Sequence, residues 1–337
     1  MRVTLVYRHK NPHFFSVERV FSRLEDDLRK EADIETFIVP RLGVSLRNVL
    51  AAFRFSRRNH SDIFHVTGDI HYVVLGLPGR RTLLTVHDCV FLYQNSGLKR
   101  RVLKYLFLDA PVRRCKLVTT ISEATRQDIL KFTGCPPDKV VVIPNPVSQS
   151  IEYLPRPFRE DRPVILFLGI TPNKNLRRVI PALEGIDCQL HVVGVLPPPE
   201  KELLQQHRID YRQSAHLSDQ ELAACYADAD LVLFPSTFEG FGLPIIEGQK
   251  AGRPVITSSL SPMQEIADGS ACLVDPFSID SIRSGVLRVI RDRDYREQLV
   301  EAGFRNVTRF DAATIAHQYY SCYQQLNGQA ASGGSKA

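Results

Sequence analysis

No apolar run in this sequence approaches the ~20 residues that span a bilayer. The first residues, Met1 to Arg8, lack the apolar stretch of a secretory leader and read as a strand. The expectation is a soluble, cytoplasmic protein. The seven cysteines, Cys89, Cys115, Cys135, Cys188, Cys225, Cys272 and Cys322, are odd in number, scattered and without a Cys-x-x-Cys pair. That pattern excludes a disulfide framework and a zinc site of the usual spacing, and leaves cysteine as a small core residue. No internal repeat of roughly 20–50 residues is present. No Asp-x-Asp motif sits on a loop suited to a metal, so neither metal nor cofactor is expected. A basic sheet interleaved with aromatics is also missing, which argues against nucleic-acid binding.

What remains is 337 residues with 44% hydrophobic content, ample for more than one domain. The charge is uneven. Residues 1–150 hold 24 Lys and Arg against 14 Asp and Glu, and the rest hold 19 against 23. A basic first half suits an anionic partner surface, and a solvated charged face accounts for it equally.

Strand and helix signals alternate along the chain, the pattern of parallel sheets covered by helices. The stretch Ser148–Arg162, with Pro155, Pro157 and mixed charges, breaks the rhythm. The division expected is a first domain at 1–150, a linker at 151–162, a second domain at 163–310, a helix at 311–327 packing back on the first domain, and a disordered tail at 328–337. Each domain is a doubly wound α/β sheet with ligands at the carboxyl ends of its strands.

Residues 235–247 read Pro-Ser-Thr-Phe-Glu-Gly-Phe-Gly-Leu-Pro-Ile-Ile-Glu. The apolar run Leu231–Phe234 before them reads as a buried parallel strand. Gly240 and Gly242 make a tight loop, and Pro244 suits the opening of a helix, where a missing N–H costs nothing. Glu239 then lies in the loop, with Glu247 about one turn into the helix. Between them, free N–H groups at a helix N-terminus favour an anion. Two carboxylates around an anion site suit a phosphate flanked by hydroxyl-rich groups, the layout of a nucleotide sugar.

This Glu-x7-Glu segment, followed by Ala-Gly-Arg-Pro-Val-Ile-Thr-Ser at 251–258, resembles the retaining glycosyltransferases of family 4. The resemblance implies the GT-B architecture, two Rossmann-like domains facing a central cleft. It implies a metal-independent hexosyltransferase that moves a sugar from a nucleotide-diphosphate donor to a hydroxyl acceptor, a lipid-linked glycan or surface-polysaccharide precursor. Glu247 would bind the ribose hydroxyls, and Glu239 would lie beside the donor sugar. Glu239 is then either the nucleophile of a double displacement or the stabiliser of an oxocarbenium-like transition state in a front-face route. Backbone N–H groups of Phe241, Gly242 and Leu243 would hold sugar hydroxyls and the distal phosphate. Lys174, in the loop that also carries Gly169 and Asn173, would meet charge building on the leaving phosphate. The family usually has Arg-Lys where this chain has Asn173–Lys174, so Arg177 or Arg178 would replace the missing cation, or Asn173 would donate a neutral hydrogen bond. His87 would contact the donor sugar, with Asp88 orienting it or capping the next segment. Ser122–Arg126 and Pro144–Pro146 match further family segments.

The family's glycine-rich turn after the first strand is replaced here by His9–Ser16, assigned through His13 to the acceptor side, with Ser16 as a helix cap. Asp69 and His71 are the other acceptor-side candidates. The basic amphipathic stretch 98–110 suits peripheral contact with the anionic inner face of a membrane. Two alternatives stay open, a nucleotide-sugar epimerase of the same architecture and a non-catalytic sugar-nucleotide-binding protein.

Overall fold

The structure, a computed structural model, describes residues 1–9 and 16–333, the side chains at 16–19 and 329–333 excepted. The chain divides into two units, Met1–Pro146 with Asp311–Ala337, and Val147–Phe310.

In the first unit the strands are β1 (Arg2–Tyr7), β2 (Asp33–Ile38), β3 (Ile63–Val66), β4 (Thr82–Val86), β5 (Leu117–Thr120) and β6 (Val140–Val142). They form a parallel sheet in the order β2-β1-β3-β4-β5-β6. Successive side chains of a strand point to opposite faces, and both faces here are covered. Val3 and Leu5 enter a core with α1 (Ser16–Glu31) and α14 (Ala312–Gly333), while Val6, Phe64 and Val66 enter a second core with α2 (Leu46–Arg58). That second core also takes residues from α3 (Val90–Gln94), from the Tyr105–Asp109 turn that follows α4 (Gly97–Lys104), and from α5 (Ala110–Arg114) and α6 (Glu123–Thr133). Ile315, Tyr319, Tyr323 and Leu326 of α14 recur at helical spacing on the face that meets Phe21 and Leu24 of α1.

The helix expected over Leu98–Ala110 is instead α4, a π turn at Tyr105–Asp109, and α5. Pro111 has no N–H to offer the Phe107 carbonyl, so the turn widens. The freed Phe107 carbonyl accepts a hydrogen bond from His71 Nδ1 at 2.6 Å. The tail also departs from expectation. The last helix runs on through Gly333, past residue 327, on the helix formers Gln329, Ala330 and Ala331.

The second unit has β7 (Val164–Leu168), β8 (Gln189–Val193), β9 (Asp210–Ser214), β10 (Leu231–Phe234), β11 (Val255–Ser258) and β12 (Cys272–Val274), parallel in the order β12-β11-β10-β7-β8-β9. Its helices are α7 (Leu176–Leu183), α8 (Pro198–Gln206), α9 (Asp219–Asp228), α10 (Leu243–Lys250), α11 (Met263–Ala267), α12 (Ile279–Arg291) and α13 (Arg293–Val307). Strand order reverses between β7 and β10. Loops leaving a doubly wound sheet diverge at such a point and open a crevice.

Residues 151–162, expected as a linker, are lashed to this unit. Asp230, buried before β10, accepts from Arg156 (2.5 Å), Arg159 (2.6 Å) and the Val164 N–H (2.7 Å). The prolines keep the segment extended, and its arginines carry it onto that carboxylate. Asp228 takes Arg212 and Arg156, so both carboxylates of this Asp-x-Asp pair hold arginines.

One buried polar chain runs through the first unit. His65 lies between the Tyr323 hydroxyl (2.8 Å) and Thr85 (2.7 Å), and Thr85 meets Thr119 (2.7 Å). Burial lowers the His65 pKa to about 3. An unfolded imidazole titrates near ~6.5, so between those values only the unfolded chain takes the proton. The stability that neutral His65 supports is therefore complete above ~6.5 and is lost as pH falls, at up to ~1.4 kcal/mol per pH unit. Urea midpoints should drop between about pH 7.5 and about pH 5, and His65→Gln should shrink that drop. An unchanged drop in the variant would assign the pH dependence elsewhere.

Candidate functional site

The crevice of the second unit lies between the loop after β7, 169–175, and the loop after β10, 235–242. Parallel strands give such loops no ladder of their own, and side chains join them. Asn173 Nδ2 donates to the Phe238 carbonyl (2.9 Å) and to Glu239 (3.2 Å), while the Asn173 carbonyl accepts from the Thr237 N–H (2.8 Å). Asn175, buried at φ 72°, sends its amide to the carbonyls of Pro235 (3.0 Å) and Pro276 (2.6 Å). Asparagine enters the left-handed region more readily than most residues, which suits the step from this loop into α7.

Over that frame sits a half-buried ion pair, Lys174 Nζ to Glu239 Oε1 at 2.7 Å. Lys174 also lies over the Phe234 ring, 4.7 Å from its centre, and so is held from two sides. Gly169, at φ 84°, makes room for it, because a Cβ there would come within 3.1 Å of the lysine stem. Gly242 precedes α10 at φ 118°, and Leu243 and Pro244 begin the helix. Phe241 turns its ring inward, edge-on to Phe310 at 5.8 Å. One turn on, Glu247 is buried and accepts from the Tyr226 hydroxyl of α9 at 2.9 Å.

The structure thus brings Lys174, Asn173, Gly169 and Glu239 together, with Gly242 and Leu243 at the start of α10 and Glu247 further along that helix. It does not bring Arg177 with them. That guanidinium is turned away to Glu200 of α8 at 2.9 Å. Arg178 stays beside the loop, bonded to Asn175 Oδ1 (3.0 Å) and over the Phe277 ring. Sequence reasoning missed Tyr226 and Asn175. Tyr226 is 21 residues from its partner and left no local signal. Asn175 left one, an asparagine at a turn just before a helix.

In the first unit a cavity of about 290 Å³ is lined by Asp69, His71, His87, Asp88, Leu103 and Phe107 among others. His87 Nε2 donates to the Thr67 carbonyl (2.7 Å), and Asp88 caps α3 through the Val90 N–H (2.9 Å) rather than orienting His87. Asp69, at φ 51°, pairs with Arg8 (2.5 Å). Burial lowers the His71 pKa, which keeps the ring neutral. Ser122 caps α6 at the Thr125 N–H (3.2 Å). His13 and the side chain of Ser16 lie outside the described residues.

Among the described residues the second unit's larger cavity, about 620 Å³, lies instead by the amino ends of β10 and β11, beside Asp230 and Pro254. Arginines there already have partners, Arg156 with Asp230 and Arg296 with Glu160. Size alone does not mark a site.

The family description "Glycosyl transferases group 1" matches residues 154–306, and "Glycosyltransferase Family 4" matches residues 1–150. The O-antigen chain mannosyltransferase B of Escherichia coli is 27% identical over 278 residues, 74% of this chain and 72% of that protein. The MMP alpha-(1->4)-mannosyltransferase of Mycolicibacterium hassiacum is 28% identical over 298 residues, 80% of this chain and 72% of that protein. The solved structure of Anabaena HepE in complex with UDP superposes with a TM-score of 0.78 over 96% of this chain and 100% of that one, at 17% identity, a likeness of fold.

Asn175→Ala removes two buried hydrogen bonds and puts a Cβ without a polar side chain in the left-handed region. A loss of about 2–4 kcal/mol is expected in denaturant unfolding. A loss below about 0.5 kcal/mol would show that the loops hold together without it.

Proposed function

From the premise that the chain belongs to the glycosyl transferases group 1 and has their GT-B fold of two Rossmann-like domains, we propose that it moves a hexose from a nucleotide-diphosphate donor to a hydroxyl acceptor with retention of configuration. The observation that carries this reading is the Lys174–Glu239 pair, held at the switch point of the second sheet beside the start of α10.

The chemistry follows from what each group can do. A diphosphate at the N-terminus of α10 meets free N–H groups and the positive end of the helix dipole. It competes with Glu239 for the Lys174 ammonium. Lys174 then faces the oxygen that gains charge as the sugar departs, and Glu239 is released to face the sugar. In the front-face route the bond from the anomeric carbon to phosphate breaks while the acceptor oxygen bonds that carbon on the same side. The acceptor proton passes to the departing phosphate oxygen. Glu239 offsets the positive charge that develops on the ring. Glu247 has two oxygens suited to vicinal ribose hydroxyls, with Tyr226 fixing its orientation. Asn173, the departure that left a non-catalytic reading open, braces the loop and Glu239 with neutral hydrogen bonds.

Both named relatives are mannosyltransferases, and one acts on an O-antigen chain. They favour mannose as the hexose and a polysaccharide precursor as the acceptor. The cavity at His71 and His87 is the acceptor-side candidate. A lipid-linked acceptor fits the exposed Leu98, Val102 and Tyr105 of the α4 region, which recur beside Lys99, Arg100 and Arg101 and suit contact with an anionic bilayer.

Nucleotide release should require acceptor, and NMR of the product should show the donor's anomeric configuration. Inversion would overturn the mechanism. Glu247→Ala should raise donor KM about 10–100-fold, while Glu239→Ala should lower kcat about 100-fold or more with little change in donor binding. Equal losses in both parameters for both variants would contradict these roles. Activity should survive EDTA, since Lys174 supplies the cation at the phosphate. A reaction abolished by EDTA and restored by magnesium would remove that role.

A further inference from the structure

Arg253 lies in the segment 251–258 that follows the Glu-x7-Glu motif, and it is buried, with 5% of the residue exposed. Its guanidinium takes three backbone carbonyls. Nε donates to Tyr226 (3.1 Å), and Nη2 donates to Ala227 (2.8 Å) and Leu154 (2.9 Å). Tyr226 and Ala227 stand in the last turn of α9, where carbonyls lack helical partners and a cation meets the negative end of the dipole. Burial lowers the Arg253 pKa from the usual arginine value, so its enclosure has a cost that a solvated cap would not have.

The Arg253 backbone makes a second connection. Past the end of α10, the N–H of Gly252, at φ 72°, bonds the Gln249 carbonyl (3.0 Å), and the Arg253 N–H bonds the Gly248 carbonyl (2.9 Å). Those two bonds turn the chain back onto the helix end. Gly248 follows Glu247, and a Cβ at Gly248 would lie 2.8 Å from Val232, so α10 sits close upon β10. A closed ring results. The Tyr226 hydroxyl donates to Glu247 (2.9 Å), the Tyr226 carbonyl accepts from the Arg253 side chain, and the Arg253 N–H returns to the residue after Glu247. Arg296, buried to a similar degree (6%), also takes carbonyls at a helix end, those of Val289 and Ile290, together with Glu160. None of those bonds reaches α9 or α10.

We propose that Arg253 and Tyr226 are positioning residues that hold the Glu247 carboxylate in the orientation that accepts from two vicinal hydroxyls, and that the donor site thereby selects a ribonucleoside diphosphate over its 2′-deoxy form. The inference rests on the reading of Glu247 as the ribose ligand. One hydrogen bond tolerates rotation of a carboxylate, whereas two made at once require its plane to be fixed. A nucleotide without the 2′ hydroxyl leaves a buried acceptor unpaired, and that mismatch is the source of the selection.

Calorimetric titration of the full chain with UDP and GDP, each against its 2′-deoxy form, is the test. With the base that binds more tightly, the ribonucleotide should bind about tenfold tighter or more. Tyr226→Phe and, separately, Arg253→Lys should each cut that ratio to about threefold or less, by weakening the ribonucleotide while the 2′-deoxy form changes by less than about twofold. Should Arg253→Lys not fold, Arg253→Gln takes its place, and Tyr226→Phe, which loses one hydroxyl, decides in either case. Arg296→Lys removes bonds of the same kind and should keep the full ratio. Equal weakening of both nucleotide forms in the Tyr226 and Arg253 variants makes the ring a general support and overturns the proposal. A ratio lost in Tyr226→Phe and kept in the Arg253 variant overturns the part given to Arg253. A full ratio in both, with Glu247→Gln losing it, overturns the ring alone and leaves Glu247 as the ribose ligand. No binding or no preference in the wild type overturns that reading as well.

Discussion

Two loops leaving adjacent parallel strands lie close together without a ladder to join them, and in the second unit the side chains of Asn173 and Asn175 supply the missing bonds. Both reach from the loop after β7 to carbonyls of the loop after β10. The Lys174–Glu239 pair is built on that frame, and its geometry has meaning only because neutral hydrogen bonds set the backbone beneath it. A charged pair on free loops would lose much of its worth to side-chain entropy and solvent screening. Here the ring of Phe234 and the space above Gly169 hold the lysine while the loops hold the glutamate.

That arrangement accounts for a sequence feature that first looked like a loss. Asn173 stands where the family usually places a cation. In the structure its amide is engaged by Phe238 and Glu239, so the chain has one cation at the loop and a stiffer loop around it. Arg177, the proposed substitute, is committed to Glu200, while Arg178 stays close through Asn175. The first unit applies the same economy of polar groups. Pro111 frees the Phe107 carbonyl, and His71 takes it, which sets the imidazole tautomer at the cavity that His71 and His87 line.

Much of this was legible in the residues themselves. Strands buried on both faces read as short apolar runs, so β7 and β10 stood out, and glycine and proline marked the loop and the start of α10. Local signals also gave Ser122 as a cap. Pairings between distant residues left no such trace. Tyr226 beneath Glu247, Tyr323 against His65, and the arginines of 151–162 on Asp230 all join segments whose proximity only the folded chain creates. The last of these explains why a proline-broken, charged stretch looked like a linker. Its charges are complementary to a buried aspartate, a fact that composition does not carry.

The central claim is that the second unit grips a nucleotide-diphosphate sugar between Lys174, Glu239 and the start of α10. Diffraction from crystals soaked in such a compound tests it most directly. The pyrophosphate should appear against Lys174 and the N–H groups at Gly242 and Leu243, with the ribose at Glu247. A nucleotide seated in the cavity beside Asp230, with the Lys174–Glu239 bond intact, would contradict it.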